Sequence, residues 1–392
     1  MKTGSMETTS LDSPIRPARA TLREFLGRRT ESEEGIARLS VESQAALRQF
    51  SLERLMGYGL AYADVIELRA RALEGEEWEA AARTLAEIAL KQANAASTGP
   101  AQTTRIHYLR RASALLRMSQ MMMLVDTAER RSIFARAATI YGEAAKLRSD
   151  RQRVLIKTAS RPLVGWMIPA PGGAVASAIV IGGVEGWAMD FDSLGEALAA
   201  RGIDALMLDG PGQGESRFDH NHYLSVHWSD AYRSAIDFLE RRSSEHRIGF
   251  IGNSIGGSFA MAMASIDERV SACVCNGGVI KPTLAQGKTT FFAKMIAACG
   301  TDSEEGALEA WGAVDPIAPP IARTSGEGYP LLMVHGGKDP MIPTAASEML
   351  LSAAPTNDKE MVVFSDGDHC IYNHRDDRDA LIADWVRSRL AT

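Results

Sequence analysis

The sequence predicts an α/β chain: a mostly parallel, doubly wound sheet preceded by an all-helical segment. Three observations carry this. Residues 41–148 are rich in Ala, Leu, Arg and Glu, with apolar positions three and four apart, the period of a helix. From about residue 153, short β-branched runs alternate with amphipathic stretches. Runs such as AIVIG and LLMVH are apolar throughout, as strands covered by helices on both faces must be.

The elements follow in order. Residues 1–35 hold Ser, Thr, Pro and charge without a clear period and read as a flexible N-terminus. Helices are expected near 43–57, 62–73, 76–96, 103–123 and 126–147. In the third, Trp78, Ala81, Ala82, Leu85, Ile88 and Ala89 share one stripe, and in the fifth so do Ile133, Ala137, Ile140, Tyr141 and Ala144. Thr98-Gly99-Pro100 breaks the chain between the third and fourth. Residues 36–150 therefore read as a helical cap domain packed on a second domain, 151–392. In the latter, strands are expected at 153–157, 162–168, 178–182, 204–208, 247–251, 270–275, 330–334 and 360–364. Helices are expected at 190–201, 224–243, 254–266, 344–353 and 376–390. Residues 276–329 interrupt the alternation and read as a helical insertion, a lid over the C-terminal edge of the sheet.

Composition narrows the function. The 392 residues carry a net charge of −6, which argues against a polyanion partner such as nucleic acid. Four cysteines are too few for a disulfide framework, and Cys273 and Cys275 lie in an apolar run as reduced, buried thiols. The N-terminal residues lack the apolar core of a signal peptide, and no run of about 20 apolar residues would span a membrane. The expectation is a cytoplasmic protein. His220, His222 and His227 have no acidic or Cys partner at metal spacing, so neither a metal nor a cofactor is expected.

The chemical signal is Gly252-Asn253-Ser254-Ile255-Gly256. RIGFI precedes it as a strand and IGGSFAMAMAS follows as a helix, the strand–turn–helix that a nucleophile elbow requires. A serine needs a base, and the base an orienting acid. Two later strands end in loops carrying Asp339 (HGGKD) and His369 (SDGDH), which would meet Ser254 at the C-terminal edge of a parallel sheet. His335 comes too early to reach over, His374 lies a helical turn beyond His369, and Asp366 and Asp368 read as turn residues. An oxyanion hole is assigned to the amides of Ile255 and of Val184, in the loop Gly182-Gly183-Val184-Glu185-Gly186. The stretch Asp209-Gly210-Pro211-Gly212-Gln213-Gly214-Glu215-Ser216 reads as a structural loop beside the site. Met118, Met121, Met122 and Met123 and the residues Trp187, Phe291, Phe292 and Met295 are candidate pocket walls, with Trp187, Met122 and Phe292 chosen as substrate-binding.

The segments GGVEG, DGPGQGES, GNSIGG and VHGGKDPMIP with DGDHC, in this order, resemble the α/β-hydrolase superfamily over roughly 153–392. The helical segment ahead of the sheet, with YADVIELRARA and HYLRRASALLRMSQ, resembles the group of 2,6-dihydroxypseudooxynicotine hydrolase and the fungal hydrolases that shorten heptaketide precursors. That resemblance implies cleavage of a carbon–carbon bond next to a ketone, a β-diketone or acyl-aromatic substrate of catabolic or polyketide metabolism, and a homodimer. It also implies a functional set of Ser254, Asp339, His369 and Glu185. Glu185 has two readings here: an acid turned away from the oxyanion hole, or a neutral proton donor and substrate anchor. The alternative activities are those of a carboxylesterase, lactonase or acyltransferase with the same three residues; a non-catalytic binding protein is the reading from another class.

Overall fold

The computed structural model describes residues 33–96, 101–282, 290–322 and 328–391. The expected flexible N-terminus up to residue 32 and the Thr98-Gly99-Pro100 break lie outside them. The helical segment comprises α1 (Glu33–Ile36), α2 (Val41–Gln49), α3 (Leu52–Gly57), α4 (Tyr62–Leu73), α5 (Trp78–Ala95), α6 (Gln102–Ser119) and α7 (Ala128–Arg148). The sheet begins with β1 (Gln152–Ile156), β2 (Leu163–Ile168) and β3 (Ala176–Ile181). Then come α8 (Asp192–Ala199), β4 (Ile203–Asp209), α9 (Gly214–His220), α10 (Trp228–Arg242), β5 (Arg247–Asn253), α11 (Ile255–Ile266) and β6 (Val270–Asn276). Helices α12 (Thr290–Ala298) and α13 (Glu304–Gly312) precede β7 (Leu331–Gly336), α14 (Thr344–Ala353), β8 (Lys359–Phe364) and α15 (Arg375–Leu390).

The strands form one sheet in the order β1-β2-β4-β3-β5-β6-β7-β8. β1 and β2 are antiparallel to their neighbours and the rest pair in parallel. Each expected strand appears with its ends shifted by no more than two residues, because β2, β3 and β7 are buried over their whole length and their apolar runs are unambiguous. The chain leaves β3 toward one side of the sheet and returns to the other as β5. Crevices at such reversals, outside the carboxyl ends of strands, are where ligands bind.

One apolar cluster is common to the helical segment and one face of the sheet, and a second covers the opposite face. Tyr141 meets the edge of Trp166 at 4.6 Å, and Phe134 packs on Trp187 and Phe218. Buried ion pairs fix how the helices dock: Arg117 Nε donates to Asp190 at 2.8 Å, and Arg217 holds Asp126 through two nitrogens at 2.9 and 2.7 Å. Such pairs add more to a unique geometry than to stability.

Three expectations need correction. The helix expected over 43–57 is two helices. Phe50 is extended, Ser51 caps α3 by accepting from the Arg54 amide at 3.1 Å, and Arg69 holds the Phe50 carbonyl at 2.6 Å. No Gly or Pro marks this corner; it is made by tertiary contacts. The fourth helix ends at Ser119, so Met121, Met122 and Met123 lie beyond it. Only the first half of DGPGQGES is loop. From Gly214 onward it is α9, whose first turn is tied down by the Asp209 carboxylate accepting from the Glu215 amide at 2.8 Å.

Candidate active site

β5 ends at Asn253 and α11 begins at Ile255, which leaves Ser254 to turn the chain. It does so at φ 55° and ψ −133°. A residue with a side chain holds such a backbone at a cost of about 1–3 kcal/mol. A Cβ on Gly252 would stand 1.9 Å from the Gly256 carbonyl oxygen, and one on Gly256 would stand 2.3 Å from that of Gly182. Those contacts are the reason for glycine at both positions. The Ser254 amide donates to the Asn276 carbonyl at 2.7 Å, which ties the turn to the end of β6.

Asp339 follows β7 and His369 follows the neighbouring β8. His369 Nε2 is 2.9 Å from Ser254 Oγ, and its Nδ1 is 2.7 Å from Asp339 Oδ2. With Nδ1–H donating to the carboxylate, Nε2 is left free to accept from the serine hydroxyl. The other Asp339 oxygen accepts from the amides of Met341 and Ile342 at 2.7 and 3.0 Å. Burial works against the Asp339 charge, but the His369 hydrogen bond and charge and these amides outweigh it and hold the carboxyl below its ordinary range. Burial also disfavours the His369 cation. The Cys370 sulfur and Asp339 pull the other way, and the net shift is upward from the usual 6.5. A base must be neutral to accept a proton, so the acid limb of kcat/KM is expected above pH 6.5, with the rate still rising past neutrality. Asp339→Asn should move that limb down. A wild-type profile flat from pH 6 upward would contradict this.

The chain after His369 is wound left-handed at Cys370 and Ile371, with φ 61° and 59°. Asn276 Nδ2 and Arg378 Nη1 both donate to the Cys370 carbonyl, at 3.3 and 2.7 Å, and hold the twist. The competing residues have other partners. His335 is buried within β7 with Nδ1 3.0 Å from Ser347 Oγ, and His374 pairs with Asp366 at 2.9 Å. Asp368 accepts from the Tyr372 amide at 2.5 Å.

Ile181, the last residue of β3, lies beside Gly252 in the sheet, so the loop 182–186 runs alongside the serine. A Cβ on Gly183 would sit 2.8 Å from Ser254 Cβ and 3.2 Å from the Asn253 carbonyl oxygen. Gly183→Ala is therefore expected to displace the serine and lower kcat about 10²-fold, the effect of an ångström-scale misplacement. Steady-state turnover of an aryl ester measures it. Asp209 steadies the end of this loop by accepting from the Ala188 amide at 2.8 Å, and burial pushes its carboxyl up to about 7.

Glu185 is buried in a cluster that the sequence did not reveal. One oxygen accepts from Lys294 of α12; the other accepts from Gln49 of α2 and, at 3.2 Å, from Arg54 of α3. Lys294 also donates to Gln49 Oε1 at 3.2 Å and stands 5.4 Å from the centre of the Phe50 ring. Burial pulls Lys294 below the usual lysine range against the attraction of Glu185. The corner at Phe50–Ser51 brings Gln49 and Arg54 to the same carboxylate. A continuous helix would have carried them past it. Both oxygens of Glu185 are taken up by Arg54, Lys294 and Gln49, so the carboxyl group is held within the cluster.

Residues 179–305 match the family described as alpha/beta hydrolase fold. The 2,6-dihydropseudooxynicotine hydrolase of Paenarthrobacter nicotinovorans is 27% identical over 267 residues, 64% of this chain and 68% of that protein. The crystal structure of the 2,6-dihydroxy-pseudo-oxynicotine hydrolase superposes with a TM-score of 0.73 at 25% identity, covering 87% of this chain and 96% of that one. The chain has the α/β-hydrolase fold. A third protein, AbyA5, shares the fold at 15% identity, with a TM-score of 0.61 over 80% of this chain and 89% of its own.

In this α/β-hydrolase fold a cavity of about 20 Å³ opens at Ser254, bounded by Gly183, Val184, Glu185, His369, Cys370 and Tyr372 together with Gln49, Arg54, Phe291 and Met341. That is room for about one water molecule. The residues chosen from sequence as substrate-binding lie elsewhere. Trp187 is packed edge-on between Phe134 and Phe218, at 5.4 and 5.6 Å, and joins the loop to α7 and α9. Met122 stands behind the cluster with its sulfur 3.7 Å from Lys294 Nζ. Phe291 and Phe292 both pack against the apolar cluster on the sheet's other face, and Phe291 also lines the cavity. Phe291 and Lys294, three apart on α12, share the face that meets the site. Among the described residues no helix is long and apolar enough to cross a membrane.

Proposed function

We propose that this protein cleaves a carbon–carbon bond adjacent to a ketone through an acyl-enzyme on Ser254. The hydrogen-bonded line Ser254–His369–Asp339 carries the reading, since a serine is activated by a base whose other nitrogen is held by an acid. Ser254 Oγ gives its proton to His369 Nε2 and attacks the ketone carbon. The resulting oxyanion is bound by the Val184 and Ile255 amides. The bond to the α-carbon breaks with its electron pair leaving as an enolate. His369 returns the proton to that carbon, and the acyl group stays on the serine. Water, deprotonated by His369, then releases the acid.

The Glu185 cluster supports the carbon–carbon reading over simple ester hydrolysis. An enolate leaving group carries charge that an alcohol protonated by His369 does not. Arg54 and Glu185 on the cavity wall, with Lys294 paired to Glu185, anchor the ketone and stabilise that charge as it forms. The 27%-identical relative is named as a hydrolase of 2,6-dihydropseudooxynicotine. The test is a panel of β-diketones, acyl-aromatics and aryl esters with products read by mass. Carbon–carbon cleavage products support the proposal; turnover of esters alone would replace it with an esterase. The resemblance also leads us to expect a homodimer, which light scattering of the purified protein measures.

A further inference from the structure

We propose that Gln213 is a positioning residue for the oxyanion hole, holding the Gly183–Val184 peptide with its N–H toward Ser254. The proposal rests on the serine-hydrolase reading and adds how the hole is kept formed. Gln213 precedes α9 and is buried. Its Nε2 donates to two consecutive carbonyls of the loop after β3, Gly182 at 2.9 Å and Gly183 at 2.8 Å. Its Oε1 accepts from the Gly210 amide at 2.9 Å. Three of the four hydrogen-bonding positions of the carboxamide are therefore used, which fixes its orientation.

The consequence follows from the geometry of a peptide. Among the described residues all peptide bonds are trans. In a trans peptide the carbonyl and the next N–H point in opposite directions. Pinning the Gly183 oxygen onto Gln213 therefore turns the Val184 N–H away from Gln213. Gly183 abuts Ser254, since a Cβ there would stand 2.8 Å from Ser254 Cβ, and Val184 lines the cavity at the serine, so the proposal places that N–H on the Ser254 side.

The loop needs such a clamp because of its own composition. Gly182 must lack a side chain, since a Cβ there would lie 1.7 Å from the Gly186 oxygen, and Gly183 must lack one for Ser254. Two consecutive glycines are the most freely rotating backbone available. A flipped Gly183–Val184 peptide would present a carbonyl oxygen where the oxyanion forms. The same close packing that brings the loop to the serine thus removes its stiffness, and Gln213 restores it from a different loop.

The test compares Gln213→Glu, which keeps the shape and loses both donors, with Gln213→Met, which loses all polarity without adding charge. Ser216→Ala is the control. It unties the first turn of α9, which follows Gln213, from β2, where Ser216 Oγ accepts from the Val164 amide at 2.8 Å, without touching Gly183. Three quantities are measured: kcat and KM on p-nitrophenyl acetate, the inhibition constant of an aryl trifluoromethyl ketone that adds to serine as a tetrahedral adduct, and fluorophosphonate labelling. Loosening one oxyanion donor is expected to lower kcat up to about 10²-fold in both Gln213 variants, with KM nearly unchanged. Ketone affinity should fall by the same factor, while Ser216→Ala lowers thermal stability and leaves ketone affinity as in the wild type. Ketone affinity retained in folded Gln213 variants, or lost equally in Ser216→Ala, overturns the role of Gln213. Wild-type protein that takes no fluorophosphonate at Ser254 overturns the serine-hydrolase reading itself, and with it this proposal.

Discussion

Ser254→Ala is expected to lower turnover by about 10⁴–10⁶-fold, because members of such a serine–histidine–acid set act as a unit. The fold should survive. Ser254 donates its hydroxyl to His369 and uses its backbone, not its side chain, to hold the elbow through the Asn276 carbonyl. Alanine keeps the Cβ that already occupies the strained turn, so thermal unfolding should change little. A fluorophosphonate should label the wild type at Ser254 and leave the variant unlabelled. Labelling that persisted in the variant would remove the serine from the chemistry and return the site to a binding role.

Glu185→Gln is expected to have the second largest effect, on stability and on activity together. The amide keeps the size of the side chain but removes the one negative charge facing Arg54 and Lys294, both largely buried. Breaking a buried pair by deleting one partner typically costs about 3–5 kcal/mol. A double variant, Glu185→Gln with Lys294→Met, should recover much of that loss, since no unpaired lysine then remains in the wall. Activity separates the two enzyme readings. If Glu185 holds Arg54 and Lys294 where they anchor the ketone and steady an enolate, turnover of a β-diketone should fall about 10²-fold, the usual cost of misplacing such groups. Turnover of an aryl ester, whose leaving group needs no such help, should stay within about tenfold when measured at a temperature where the variant is folded. Equal, small effects on both would make Glu185 a structural carboxylate and favour an esterase. Denaturation curves and paired turnover assays give both answers from the same preparations.

Much of the catalytic half was legible in the chain because its signals are local. The strands of the sheet are runs of apolar residues bounded by turns, and burial on both faces leaves them no other pattern. The G-x-S-x-G turn is a steric requirement of four consecutive bonds, so it appears in the sequence as glycines at fixed offsets. Asp339 and His369 were reachable by order alone, since both follow strands and parallel strands deliver their C-terminal loops to one edge. The unit of DGPGQGES was recognisable as a loop beside the site, but its second half as a helix was not, because the Asp209 carboxylate that starts α9 acts through space.

What lay beyond the sequence was whatever depends on residues far apart in it. Gln49, Arg54 and Lys294 carry no motif; each is an ordinary polar residue on an amphipathic helix until three helices bring them to one carboxylate. Trp187 read as a candidate pocket wall, and the structure packs it between Phe134 and Phe218. Phe291 and Phe292 cannot be told apart by type; both pack against one apolar cluster, and only the rotation of α12 brings Phe291 to the cavity as well. The sequence by itself determined the sheet, the elbow and the order of Ser254, Asp339 and His369, because sterics and periodicity act between near neighbours. The tertiary structure alone decided the charge around Glu185 and the shape of the cavity, because side-chain contacts between distant elements follow from how those elements pack, and packing leaves no regular period in the chain.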